Sequence, residues 1–344
     1  MKYALPTHPE EVTKSLFSAL NKRTKDILEQ RFGLGKSQKR MTLEAIGQKY
    51  SITRERVRQI EADGFSKIKK SQAYTEAKPV FSALESYFNA EGRVIKETKA
   101  LADFVSHPKH ENHIFFLLSL HDPFLRHHES DELHDRWSFG SESDPKAKRA
   151  LDGAVSELRG IGKPVPEQKL FEVLSSSSKT VLGETPPEAV LANWVGVSKL
   201  ISKNYFGEWG LVEFPEIKPR GVRDLSYMVM LRHGKPLHFS AVAEQIGGLT
   251  GKKAHVQTVH NELIKDPRFV LVGRGLYALK NWGYAEGVVK DIISEILKSD
   301  GPSTKEKIVE KVLKARMVKP NTVAINLENR AYFKKLADGR FSLK

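Results

Sequence analysis

Glycines at positions 92, 162, 234 and 301 punctuate this chain at steps of 70, 72 and 67 residues. A recurring period like this suggests tandem copies of one supersecondary unit. The clearest copy spans residues 224–280. It predicts a helix over 225–231, a Gly234-Lys-Pro-Leu turn, a short helix over 239–246 and another over 256–264. The run Phe269-Val-Leu-Val-Gly-Arg-Gly-Leu-Tyr-Ala-Leu279 then reads as two short strands around a Gly-Arg-Gly turn. Residues 286–344 repeat the scheme, with helices over 288–297, 305–313 and 321–329 and a closing hairpin turned at Asp338-Gly339. Weaker copies cover 147–214 and 78–139, closing on Tyr205-Phe-Gly-Glu-Trp-Gly-Leu-Val212 and on Trp137-Ser-Phe139. Any helical chain shows a helix, a glycine and another helix somewhere, so the last two copies carry the argument.

Three helices closed by a hairpin are the outline of a winged helix. Residues 223–283 resemble the HARE-HTH domain, the winged-helix module also found in the delta subunit of bacterial RNA polymerase. The motif order and the Arg274-Gly-Leu-Tyr-Ala278 hairpin carry that resemblance. Linkers are expected near 140–147, 213–223 and 280–285, and the run Ser175-Ser-Ser-Ser178 reads as a mobile loop. The expected fold class is mainly α with short β-hairpins: an N-terminal helix-turn-helix domain over 1–72, then winged-helix-like modules over 73–143, 144–222, 223–283 and 284–344.

The N-terminal domain has the sharpest motif. Met41 to Glu61 reads as a helix-turn-helix. Thr42 and Thr53 are placed to cap its two helices, each hydroxyl accepting from a free backbone N–H. Glu44 and Glu55 follow in the first turns, where the helix dipole favours negative charge. Leu43, Ile46, Ile52, Val57, Ile60 and Ile68 fall on inward positions at helical spacing. Arg54, Glu55, Arg58 and Gln59 are left outside. Those side-chain types read base edges: Arg pairs with guanine, Gln with adenine, and Glu accepts from cytosine.

Residues 12–70 resemble region 4 of the bacterial sigma-70 family, which reads the −35 promoter element. Leu20-Asn-Lys-Arg-Thr-Lys-Asp-Ile-Leu-Glu-Gln-Arg-Phe-Gly-Leu34 matches the family's first helix pair, and Thr53-Arg-Glu-Arg-Val-Arg-Gln-Ile-Glu-Ala62 its recognition helix. The resemblance implies base contacts from Arg54, Glu55 and Gln59. It implies backbone contacts from Arg56 and Arg58, with Thr42, Thr53 and Lys67 added as phosphate candidates. It also implies docking on the polymerase beta flap through an apolar surface with Leu28, Phe32 and Leu34. Asp63-Gly64 departs from the family's basic, helix-favouring continuation, and a mid-helix glycine costs about 1 kcal/mol against alanine, so an early bend or end is expected. Arg274 and Arg340 are the candidate wing contacts.

A net charge of +14 points to a polyanionic partner, but the charge is uneven. Residues 1–72 hold 16 Lys and Arg against eight Asp and Glu, whereas 73–143 hold seven against 12. Residues 223–283 and 284–344 each balance at +5. Phosphate repels an acidic segment, so 73–143 is expected to dock protein or act as a spacer. No apolar run reaches the roughly 18 residues of a membrane span, and Met1-Lys-Tyr-Ala-Leu-Pro lacks an apolar signal segment. Zero cysteines exclude disulfides and thiolate metal sites and accord with a reducing cytoplasm.

Seven of the twelve histidines lie between 107 and 134, and His110-Glu-Asn-His113 is one residue short of the i, i+4 spacing that puts two imidazoles on one helix face. No closed tetrahedral ligand set is spelled out, so neither metal nor cofactor is expected. Gly33-Leu-Gly35-Lys36-Ser37 lacks the length of a phosphate loop and follows a helix rather than a strand. With no nucleophile triad or carboxylate pair, a non-enzymatic role is expected. The reading is a sigma-like, sequence-specific DNA-binding transcription factor acting on promoter-like duplex DNA with bacterial-type RNA polymerase. It lacks the basic, aromatic segment that captures melted DNA, so promoter opening by this chain alone is not expected. The alternatives are a polymerase accessory scaffold, its winged helices binding protein, and a DNA-targeting subunit of a DNA-processing system.

Overall fold

The computed structural model describes residues 3–344. Met1 and Lys2, the start of the stretch read for a signal segment, lie outside the described residues. The chain divides into two compact units, residues 3–202 with 209–212 and residues 203–208 with 213–344. No helix is long and apolar enough to cross a membrane, among the described residues.

The first unit opens with α1 (Pro9–Phe17), α2 (Lys22–Phe32), α3 (Leu43–Tyr50), α4 (Arg54–Lys69) and the short α5 (Gln72–Glu76). A first module follows: α6 (Lys78–Ala90), β1 (Val94–Lys96), α7 (Glu97–Ala102), α8 (Glu111–Leu120), β2 (Phe124–His127) and β3 (Arg136–Phe139). A second has α9 (Ser143–Ile161), α10 (Glu167–Leu182), α11 (Glu188–Val197), β4 (Ile201–Lys203) and β5 (Trp209–Leu211).

The second unit carries a third module: α12 (Val222–His233), β6 (Leu237–His238), α13 (Phe239–Thr250), α14 (Val256–Lys265), β7 (Phe269–Gly273) and β8 (Leu276–Leu279). The fourth has α15 (Val289–Asp300), α16 (Lys305–Ala315), α17 (Pro320–Leu327), β9 (Phe333–Lys335) and β10 (Phe341–Leu343).

All four modules share one order: helix, short extended segment, two helices, hairpin. The extended segment pairs with the last strand every time. The sheets run β1-β3-β2 and β6-β8-β7. In the second and fourth modules a single antiparallel bridge does the same, Val165 to Trp209 and Ser303 to Phe341. In the first, the register pairs Val94 with Ser138 and Ile95 with Trp137. Just after the first helix stands Gly92, Gly162, Gly234 or Gly301, with φ of 94, 68, 72 and 74°. Glycine takes up positive φ without steric penalty, which ends the helix and turns the chain into the sheet.

One core joins the N-terminal helices to the first module. Val12, Leu16 and Phe17 of α1, Leu28 and Phe32 of α2 and Ile68 of α4 pack with Phe88, Phe116, Leu117 and Trp137. The third and fourth modules have cores of their own, around Val242, Val259 and Leu279 and around Ile293, Ile308 and Val323.

Three sequence expectations fail here for identifiable reasons. The helix does not end at Gly64: α4 continues to Lys69. A Cβ at 64 would sit 3.0 Å from Thr24 Cγ2 and 3.1 Å from Leu28 Cδ1, so this glycine lets α4 pack tightly on α2. The serine run 175–178 is not a loop but the middle of α10. Ser177 Oγ donates to the Ala150 carbonyl at 2.7 Å, and Ser178 is fully buried, so small side chains bring α10 against α9. The linker expected over 140–147 shrinks to 140–142, because α9 begins at Ser143.

Candidate nucleic-acid interface

The helix-turn-helix is set by its caps and by one close approach. Thr42 Oγ1 accepts from the Ala45 N–H at 3.1 Å and starts α3. Thr53 Oγ1 accepts from the Arg56 N–H at 3.1 Å and starts α4. Between them Ser51 takes a left-handed conformation, φ 53°, and the Ile52 N–H donates to the Gly47 carbonyl at 2.9 Å. A Cβ at Gly47 would lie 2.7 Å from the Ile52 carbonyl oxygen, so only glycine lets the chain turn back this sharply over α3. Ile27, Ile46 and Val57 are buried together, with Leu43, Tyr50, Ile52 and Ile60 packed around them.

Val57, Gly64 and Ile68 face inward along α4. At about 100° per residue, Arg58, Glu55 and Gln59 then share the outward arc, with Arg54 on one edge and Arg56 on the other. All five are exposed. They are also paired. Arg58 donates to both carboxylate oxygens of Glu55, at 2.9 and 2.7 Å, and Arg56 donates to Gln59 Oε1 at 3.1 Å. The Arg58 hydrogen bonds hold the Glu55 carboxyl below its ordinary range. Glu55 keeps its charge at neutral pH, ready to accept from a base amino group. Each Thr hydroxyl accepts in its cap and keeps its own proton to donate to a phosphate. Lys67 stands in the last turn of α4 and pairs with Asp63 at 2.7 Å.

The expected polymerase-docking surface is not available. Leu28 is fully buried and Phe32 is 3% exposed. The Phe32 ring packs on Phe65, Phe115 and Phe116, with centroids 5.7, 6.0 and 5.3 Å apart, and Leu34 lies against the same core. The face the resemblance leaves for a partner is filled by α8 of the chain's own first module. Polar contacts fix this docking. Asn112 Nδ2 donates to the Gly33 and Gln38 carbonyls at 2.9 and 2.8 Å, tying down the 33–41 loop. Arg40 donates to Asn112 Oδ1 at 2.7 Å and its guanidinium lies 3.6 Å from the Phe115 ring centre. Lys69 pairs with Asp122. Sequence reasoning missed Gly47, Arg40 and Asn112. A glycine inside a helix directly before a tight turn was the available signal for Gly47. The other two are long-range contacts that no local pattern announces.

Arg274 is exposed at the β7–β8 turn. Arg340, at the β9–β10 turn, is exposed too but is engaged by Asp338 at 2.7 Å. The histidines scatter. His113 is buried, with Nδ1 3.1 Å from Thr13 Oγ1. His121 contacts Glu85 at 2.7 Å and His127 contacts Ser138 at 2.8 Å. His110 lies with His8 and Glu10, their ligand atoms within 4.8 Å of one another, and its ring centre is 6.2 Å from that of His113; Lys14 pairs with that glutamate.

Comparison with known proteins agrees with this geometry over one segment. Residues 16–70 match the family described as Sigma-70, region 4. RNA polymerase sigma factor RpoD of Helicobacter pylori is 42% identical over 59 residues, which are 17% of this chain and 9% of that protein. The same factor of Neisseria gonorrhoeae is 39% identical over 66 residues, 19% and 10% of the two chains. RNA polymerase sigma factor SigA1 of Synechococcus elongatus is 41% identical over 71 residues, 18% of each. The matches thus span about a tenth to a fifth of these relatives, and the similarity to sigma-70 region 4 belongs to the helix-turn-helix segment of this chain.

Proposed function

We propose that this protein is a non-enzymatic, sigma-like transcription factor that reads a promoter-like duplex through α4 and works with a bacterial-type RNA polymerase. The single observation that carries the reading is the outward face of α4. It combines Arg54, Glu55, Arg58 and Gln59 on a helix capped by Thr53 and buttressed by α3. A helix-turn-helix places the N-terminal part of its second helix against base edges in the major groove. In this role Arg54, Glu55 and Gln59 read bases, and Arg56, Thr42 and Thr53 contact phosphates. Arg58 lies in the outward arc beside Glu55, so it steers that carboxylate as well as meeting the backbone.

The covered Leu28–Phe32 face favours a specific form of this role. The chain uses sigma-like DNA reading without the sigma-like apolar docking, and meets polymerase through another surface. The test is binding of full-length variants to a library of selected duplex sites at several salt concentrations. Gln59→Ala and Arg54→Ala are expected to cost about 1–3 kcal/mol at the preferred site and to relax preference at one position each. Arg56→Ala is expected to weaken all sequences alike and lower the salt slope by about one unit. Uniform losses from all three, with no change in preferred sequence, would make α4 a general phosphate clamp and remove the promoter-reading role.

A further inference from the structure

The four modules differ in what their third helix does. α8 buries His113, Ile114, Phe116, Leu117, Leu118 and Leu120, and α11 likewise buries six of its ten residues. Helices that are apolar all round are core elements. By contrast α14 buries only Val259 and Leu263, and α17 only Val323 and Leu327. The same position in the fold is consumed by packing twice and left free twice.

The free face of α14 has the chemistry of a groove reader. Val259 and Leu263 turn inward and His260 stacks on Phe239, ring centres 4.3 Å apart. Steps of about 100° then put Gln257, Thr258, Asn261, Ile264 and Lys265 outside, and all five are exposed. Gln257 Nε2 donates to Asn261 Oδ1 at 3.3 Å, so two amides stand one turn apart on one side. Asn and Gln amides pair bidentately with adenine, and apolar side chains meet the thymine methyl, which the 62% exposed Ile264 is placed to do. The face holds no carboxylate. Glu262 sits on the flank and lines an open cleft together with Arg223 and Arg268. Lys252 and Lys253 are exposed just before the helix, and Arg274 is exposed at the hairpin turn. Residues 223–283 hold nine Lys and Arg against four Asp and Glu. An acidic protein partner would be satisfied by the lysines alone; the paired amides favour base edges. In α17 the position of Asn261 is taken by Ile325, 69% exposed, so α17 lacks the amide pair.

We propose that α14 is a second duplex-DNA-reading helix of this chain, with Gln257 and Asn261 facing base edges and Lys252, Lys253 and Arg274 facing phosphates. The modules containing α8 and α11 are scaffold. The role of α14 stands independently of α4, and the test separates them. Full-length protein carrying Arg54→Ala, Arg56→Ala and Arg58→Ala is measured on random-sequence and selected duplexes at several salt concentrations. Residual, salt-dependent duplex binding is expected. Adding Lys252→Ala and Lys253→Ala should weaken it about tenfold and lower the salt slope by about two units. Adding Gln257→Ala and Asn261→Ala instead should lose about tenfold on the selected duplex and stay within about twofold on random sequence. These side chains are exposed, so folding is preserved. Absence of residual duplex binding, or residual binding unmoved by both pairs, overturns the proposal and leaves α4 reading untouched. If the α4 substitutions change nothing while the α14 pairs act, α14 reading stands and the role of α4 falls.

Discussion

Two residues show how single side chains set this fold. At Gly47 two effects oppose each other. Alanine is favoured over glycine in a helix by about 1 kcal/mol, but its Cβ would stand 2.7 Å from the Ile52 carbonyl oxygen. That oxygen belongs to the turn itself and cannot retreat without opening it. Gly47→Ala is therefore expected to destabilise the protein by about 1–3 kcal/mol in urea unfolding. Gly35→Ala is expected to be near neutral, because nothing lies within 4 Å of its Cβ position. An unchanged Gly47→Ala midpoint would show that the turn is not closely packed. His113 adds a pH response. Burial pushes its pKa down to about 4, Glu10 pulls it back only in part, and His110, His8 and Lys14 add to the depression. The unfolded chain titrates near about 6.5, so between these values the unfolded state binds the extra proton. This histidine's contribution to stability is full above pH of about 6.5 and is lost as pH falls toward 4. His110, His127 and His134 are lowered too, also by burial first, and act in the same direction. The melting temperature should fall from pH 7 to pH 5, and His113→Gln should flatten that fall; an unaltered profile would exclude His113 as its source.

Among elements, α8 is the one whose role was hidden. The helix-turn-helix was legible because its threonine caps and its apolar residues at helical spacing are local signals, and Ile46, Val57 and Ile68 are indeed fully buried. The alternating helices and hairpins were legible from turn glycines. The burial of α8 was not, because a helix apolar on every side has no amphipathic period to show which face meets which neighbour. The resemblance offered an apolar face on Leu28 and Phe32 and could not say that Phe116 covers it. The serine run failed in the same way: its composition suits a loop, and only the close approach of α9, where a Cβ at Gly153 would meet Ser177 Oγ at 2.2 Å, explains it. Phe116→Ala tests the shared core. Its ring touches Phe17, Phe32 and Phe65, on α1, α2 and α4. Truncation should cost about 3–5 kcal/mol, and the loss should appear in amide exchange of both α8 and α2. Faster exchange confined to α8 would mean that the two do not share one core.

On the scale of the whole molecule, charge and helix exposure agree about which parts are suited to meet DNA. Residues 73–143 carry seven Lys and Arg against 12 Asp and Glu, and their third helix is spent on packing. This module has neither the electrostatic attraction that drives duplex binding nor a free helix to place in a groove. The N-terminal helices have both, with 16 Lys and Arg against eight acids over residues 1–72 and an exposed α4. The absence of native cysteine makes the contrast measurable, since one introduced cysteine can carry a photo-crosslinker without background. Ala62→Cys places the probe on the outer side of α4, and Asp131→Cys places it on the β2–β3 connection; both positions are exposed. With a bound duplex, cross-links are expected from position 62 and not from position 131, and those at 62 should fade as salt rises. Salt-dependent cross-links from position 131 at neutral pH would bring the acidic module to the phosphates and overturn its assignment as scaffold.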